Sequence, residues 1–152
     1  MYMHLDTRAT DLPCVCTALR KAARAISRVY DDALAVSGLS VSQLAILRAI
    51  ARAGDEGAPL SRLAETLVMD KTSLYRSLGP LIDADWVSVS PGLRGRTKLA
   101  RLTEEGRRIT AAAAESWESA QSTVVDAFGI GRWTDLQKNI AELTALGVRL
   151  GA

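Results

Sequence analysis

Residues 59–103, PLSRLAETLVMDKTSLYRSLGPLIDADWVSVSPGLRGRTKLARLT, constrain this chain more tightly than any other stretch. Two short segments with helical apolar spacing come first. Ser61 opens one, with Leu63, Ala64, Leu67 and Val68 on a single face. After a turn at Met69-Asp70, Lys71 opens the second, which buries Leu74, Leu78, Leu81 and Ile82. Trp86 to Val89 then alternates as a strand does, Pro91-Gly92 turns the chain, and Lys98 to Leu102 alternates again. Two helices followed by a two-stranded hairpin is a shape that fits duplex DNA.

The residues on that frame point the same way. Asp70 is placed to cap the second helix. Its first turns carry Lys71, Thr72, Ser73, Tyr75 and Arg76, hydroxyls and cations suited to base edges and phosphates in a major groove. Arg94, Arg96, Lys98 and Arg101 crowd the hairpin, and no acid lies between Trp86 and Leu102. Such a concentration of charge implies an anionic partner. Ser61, Lys71, Thr72, Ser73, Tyr75, Arg76, Arg94, Arg96 and Lys98 are the expected DNA contacts. The alternative for the helix residues is an ordinary solvated face.

The rest of the chain reads as helices. Asp11 or Leu12 opens the first, with Pro13 in its first turn, an apolar stripe from Leu19 through Ala22, Ala23, Ile26, Val29 and Tyr30 to Leu34, and Gly38 as its end. Ser40-Val41-Ser42-Gln43 is a capping box for the second. Residues 53–59 read as a loop. Thr103 caps a long helix over 104–128, Gly129 and Gly131 break it, and Thr134 caps the last, ending near Leu150. With 152 residues, 48% of them hydrophobic, and a formal net charge of only +2, the chain has the size and core of one domain and no general polycation character. The absence of an apolar run of roughly 18 residues and the polar start over 1–11 predict no membrane span, no signal peptide and a cytoplasmic protein.

The order of elements, the segment LAETLVMDKTSLYRSLGPL and the closure RLTEEG together resemble the MarR family of winged-helix regulators, from about Leu12 to the C-terminus. The resemblance implies a mainly α fold with a small β-wing: a single domain over 1–152, with the winged helix-turn-helix at 40–103 and dimerisation helices at 11–38 and 104–150. It also implies a homodimer on a palindromic double-stranded operator, acting as a transcriptional regulator, most simply a repressor. Two positions depart from the family pattern. Arg96 matches the wing arginine, but Arg94 stands where the tethering aspartate is expected. Asp85 stands where glycine is usual before the wing.

Cys14 and Cys16 are the chemically distinctive residues outside the wing. Free amides at a helix start favour a thiolate, and Asp11 opposes it. Side chains two apart on a helix point about 200° apart, so joining these thiols would unravel the turn. The segment VCTALRKAARAISRVY resembles the first helix of the organic-hydroperoxide-sensing branch of the family. There the cysteine is followed fourteen positions later by an activating tyrosine, and Cys16 and Tyr30 match. The branch's second tyrosine falls on Val41. The effector is thus a small molecule or an oxidant, and the plain alternative is that both cysteines only pack.

Nothing else carries chemistry. His4 is a lone histidine, two cysteines and one histidine do not make a zinc site, and no metal or cofactor is expected. Trp86, Trp117 and Trp133 read as packing. Asp31-Asp32 and Glu104-Glu105 are adjacent on helices and face apart. The chain shows no phosphate loop or nucleophile elbow, so no catalytic residue is assigned. Two other functions stay open: a winged helix that contacts only proteins, and a thiol peroxidase built on the cysteines.

Overall fold

The computed structural model describes residues 8–152; His4 and most of the polar start lie outside them. Seven helices and a three-stranded sheet follow one another: α1 (Val15–Leu34), α2 (Val41–Ala51), β1 (Ala58–Pro59), α3 (Leu60–Leu67), α4 (Lys71–Asp83), β2 (Val87–Pro91), β3 (Lys98–Leu102), α5 (Glu104–Ala112), α6 (Ala114–Phe128) and α7 (Ile130–Leu150). Among these residues no single helix is long and apolar enough to cross a membrane.

Helix α1 starts later than the sequence suggests. A residue preceding proline is pushed out of the helical region, and Leu12 is extended at φ −85°, ψ 152°. Pro13 therefore precedes the helix, and Cys14 becomes its N-cap. A short 3₁₀ turn, Ala35–Ser37, and the left-handed Gly38 close it. The Ser40/Gln43 capping box forms in both directions, and the Asp31 carboxylate adds an acceptor 2.7 Å from the Val41 amide.

The core belongs to the middle of the chain. Leu44, Leu47 and Ile50 of α2, Leu63 of α3, Leu74, Leu78 and Leu81 of α4 and Val87 of β2 pack around one centre, with Leu34 from the end of α1. Val68 and Ile82, expected on these faces, are exposed. Val68 takes the left-handed cap position of α3 at φ 52°, which turns its side chain away from the helix stripe. Residues 53–59 are more than a loop. Gly54–Glu56 forms a 3₁₀ turn, and Ala58-Pro59 pairs antiparallel with Leu99-Ala100, so the wing hairpin rests on a third strand in the order β1-β3-β2.

Asp85 adopts φ 59° before β2, a conformation that aspartate tolerates better than most residues. Thr103 caps α5 with its hydroxyl on the Gly106 amide and donates to the Asp85 carbonyl. Gly106 lies so close to this turn that an added Cβ would sit 1.9 Å from the Trp86 carbonyl oxygen.

The expected helix over 104–128 is two helices that meet at the fully buried Ala113. They serve different neighbours: α5 packs on α2 and β3, whereas α6 packs on α1. Arg48 of α2 lies 3.9 Å above the Trp117 ring of α6 and joins the two units. Helix α7 begins at Ile130, directly after Gly129 at φ 100°. Gly131 does not break it, and Thr134 is inside it, its hydroxyl donating back to the Ile130 carbonyl rather than capping.

Candidate nucleic-acid interface

Asp70 builds the start of α4. Its carboxylate accepts from the Ser73 amide at 2.8 Å and the Ser73 hydroxyl at 2.7 Å. These bonds, the hydroxyl's first, hold its pKa below the usual carboxylate range. Ser73 therefore spends its proton on the cap. Leu74, Leu78 and Leu81 anchor the helix to the core, and Lys71, Thr72, Tyr75 and Arg76 are left on the outer side, exposed.

The wing comes down beside that helix. Ser61, Lys71, Tyr75, Arg96 and Lys98 line one cleft of about 230 Å³, joined by Thr97, which the sequence did not single out. The Lys98 ammonium sits 5.5 Å above the Tyr75 ring, so a strand of the wing touches the helix that would enter a groove. Arg94 and Arg96 are exposed at the hairpin tip, on either side of the left-handed Gly95. Thr72 and Arg76 lie on α4 outside the cleft.

Arg101 departs from the other wing cations. Its guanidinium is turned back onto the carbonyls of Asp55 and Glu56 and the hydroxyl of Ser90. The sequence groups Arg101 with the wing cations without making it an expected contact, and the fold turns it inward. Position in a strand fixes the face, but the loop that covers that face comes from 45 residues away.

Cys14 and Cys16 are both exposed and unbonded to each other. As the N-cap of α1, Cys14 has its thiol pKa lowered, first by the Thr17 hydroxyl and then by the Thr17 and Cys16 amides. Tyr30 is buried, hydrogen-bonded to Gln121 of α6, and burial raises its pKa. Fourteen residues of helix separate it from Cys16, about 21 Å along the axis, so the two do not meet within one chain.

The terminal helices present a different surface. Ile26, Val29, Phe128, Trp133 and Leu136 line an apolar groove of about 700 Å³ between α1, α6 and α7, with the Tyr30–Gln121 pair at its polar point. Helix α7 buries no residue, and Ile130, Leu136, Ile140, Leu146, Val148 and Leu150 are exposed along it.

No protein-family model matches the chain, and no curated protein does. Solved structures match over nearly all of it. The transcriptional regulator MosR of M. tuberculosis, in complex with DNA, is 30% identical, with a TM-score of 0.82 over 91% of this chain and 98% of the other. A mutant of MarR from E. coli complexed with operator DNA is 18% identical, with a TM-score of 0.75 over 85% and 92%. CouR from Rhodococcus jostii RHA1, bound to p-coumaroyl-CoA, is 19% identical, with a TM-score of 0.72 over 86% and 91%. The last two likenesses are of fold.

Proposed function

The chain belongs to the MarR family of winged helix-turn-helix transcriptional regulators, and on that footing we propose that it is a homodimeric repressor of a palindromic operator, released by an effector. That it is a DNA-binding regulator follows from its relatives; the assembly, the contacts and the signal are our reading. One observation carries the contacts: Lys71 and Tyr75 of α4 share a single cleft with Arg96 and Lys98 of the acid-free wing. In this reading Lys71, Thr72, Tyr75 and Arg76 enter the major groove, while Arg94, Arg96 and Lys98 meet the flanking backbone, with Ser61 at the edge.

The dimer is supported by the apolar surface that the terminal helices leave uncovered, since exposed patches of this extent mark association sites. The winged helix-turn-helix at 40–103 would bind, and helices within 11–38 and 104–150 would set the distance between two such units. Because α5 packs against α2 and β3, the binding unit extends through it. Selection of bound duplexes from a random pool tests the reading. An inverted repeat with half-sites about one helical turn apart is expected; an asymmetric consensus, or none, would overturn it. With no DNA selected at all, the protein-contact alternative gains.

The effector has two candidates. CouR's acyl-CoA ligand makes a small molecule with an apolar body one of them. The thiol reading is favoured by a specific feature, the N-cap position of Cys14 beside the first-turn amides of α1, where the thiol pKa is lowered toward the thiolate needed for attack on a peroxide. Oxidation of Cys14 to the sulfenic acid and condensation with Cys16 would require residues 14–17 to leave the helix. An organic hydroperoxide should then lower operator affinity, with recovery on adding a thiol reductant. An unchanged response in Cys14→Ser/Cys16→Ser would leave both cysteines as passive surface.

A further inference from the structure

Arg101 has a place that neither a core nor a DNA contact explains. From β3 its Nε donates to the Asp55 carbonyl at 3.0 Å, one terminal nitrogen to the Glu56 carbonyl at 2.9 Å and the other to Ser90 Oγ of β2 at 2.9 Å. The loop it holds is fixed from a second side, where Arg107 of α5 pairs with the Asp55 carboxylate at 3.1 Å. Gly57, at φ +86°, lets this loop approach. A Cβ there would lie 3.0 Å from Arg101 Cγ and 3.2 Å from the Ala100 carbonyl oxygen.

The wing needs such a fixture. Strand β1 pairs with β3 at only two positions, Ala58↔Ala100 and Pro59↔Leu99. Beyond them the hairpin is two-stranded, which is marginal by itself. The tip holds no acid that could tether its arginines. A planar guanidinium that bonds two carbonyls and a hydroxyl at once ties β3 to β2 and to the turn that leads into β1, as an ammonium cannot.

We propose that Arg101 is a positioning residue for the wing: by fastening the loop 54–57 and Ser90 to β3, it sets the direction in which Arg94 and Arg96 are offered to DNA. It acts through those two side chains and touches no nucleic acid. The loss on removing it is the ordering that a free wing must undergo on binding. The consequence for DNA rests on the reading of the wing given above.

Two measurements separate the parts. A nitroxide on Leu93→Cys, at the exposed tip, in a Cys14→Ser/Cys16→Ser background, reports wing motion without DNA. Titration of duplex DNA at several salt concentrations reports phosphate contacts. Arg101→Lys keeps the charge and loses the fork; Gly57→Ala keeps every charge and crowds the arginine; Ser90→Ala removes one acceptor. Arg101→Lys and Gly57→Ala should raise label mobility and weaken binding to all sequences by roughly tenfold. The logarithmic salt slope should flatten by up to about 1.8, about 0.9 for each of the two tip arginines. Adding Arg94→Ala/Arg96→Ala to Arg101→Lys should cost less than it does in the otherwise unaltered chain. Ser90→Ala should give the same pattern more weakly. If Gly57→Ala does not fold, Arg101→Lys and Ser90→Ala decide. Unchanged mobility and slope in folded Arg101→Lys, or full additivity with the tip variant, would overturn the proposal. Failure of the unaltered protein to bind any duplex would instead overturn the DNA reading, and the label would still show whether Arg101 holds the wing.

Discussion

The winged-helix unit and the terminal helices carry apolar stripes of similar regularity, yet they end differently. In α2, α3 and α4 the stripe closes on itself: Leu44, Leu47, Ile50, Leu63, Leu74, Leu78 and Leu81 are all at most 2% exposed and pack in one core within the chain. In α1 and α7 the stripe stays open, with Ile26 at 43% and Leu136 at 39% exposure although both sit on the apolar side. The periodicity states that a face will be covered; only the packing states whether the cover is within the chain. One region is a finished core, and the other is the open apolar surface on which the proposed dimer would form.

The sharpest way to break that contrast is to compare deletions in the two regions. Leu78→Ala should destabilise the fold by about 2–5 kcal/mol, the usual range for a buried leucine. Its urea midpoint should fall by the same amount in dilute and concentrated solution, relative to the unaltered chain at each concentration. A Leu78→Ala that costs nothing would mean that the core is not where the packing puts it. Leu136→Glu places a charge on the open groove instead. It should leave helix content intact and raise the dimer dissociation constant, by about 2 kcal/mol if Leu136 is a central contact. Sedimentation equilibrium reads this directly. An unaltered association state would show that the groove is not the dimer surface.

A smaller effect sharpens the contrast at the DNA. Arg76 stands on the exposed side of α4, opposite Leu74 and Leu78. If it bonds a base edge, Arg76→Ala should weaken specific binding by about 1–3 kcal/mol and relax sequence preference at one position in each half-site. Leu136→Glu should instead weaken the coupling of two half-sites and leave the preference within each one. Competition against single-base operator variants distinguishes them; equal loss for every variant would make Arg76 a phosphate contact.

Much of this was legible in the sequence where the cause is local. The Ser40/Gln43 box, the Asp70 cap and the Thr103 cap each depend on residues within a turn, and each forms as read. The errors share another origin. Thr134 had the spacing of a cap, but Gly129 had already freed the chain to start α7. Residues 104–128 had unbroken helix composition, and the bend at Ala113 comes from two halves packing on different partners. Ala58-Pro59 is too short to show alternation and becomes a strand only because β3 lies beside it. At the site, Lys71, Tyr75, Arg96 and Lys98 were identifiable by type, and the cleft joins them. Arg101 has the same chemistry as Arg94, and only the distant loop 54–57 gives it another task. The close approach of Gly106 to Trp86 gives a steric reason for the glycine of RLTEEG.

The smallest predicted effect tests whether the recognition helix is finished within its own chain. Asp70 is exposed, and its carboxylate is held below the usual carboxylate range by the hydroxyl and amide of Ser73. A depressed folded-state pKa means that the unfolded chain takes up the proton first as the pH falls. The cap's stabilising contribution is therefore fully present above the unfolded carboxylate value of about 3.9, and it is lost as the pH drops through the lower folded value. Other carboxylates titrate in this window, so the contribution is read as a difference: Asp70→Asn keeps the shape and an acceptor but removes the charge. Its stability relative to the unaltered chain should be lower near neutral pH, and the gap should close on acidification. The gap should be the same at every protein concentration, because the cap bonds only to its own helix. A gap that changes with concentration would tie the start of α4 to the dimer and blur the division between the two regions; a gap independent of pH would show that the charge of Asp70 does not stabilise the cap.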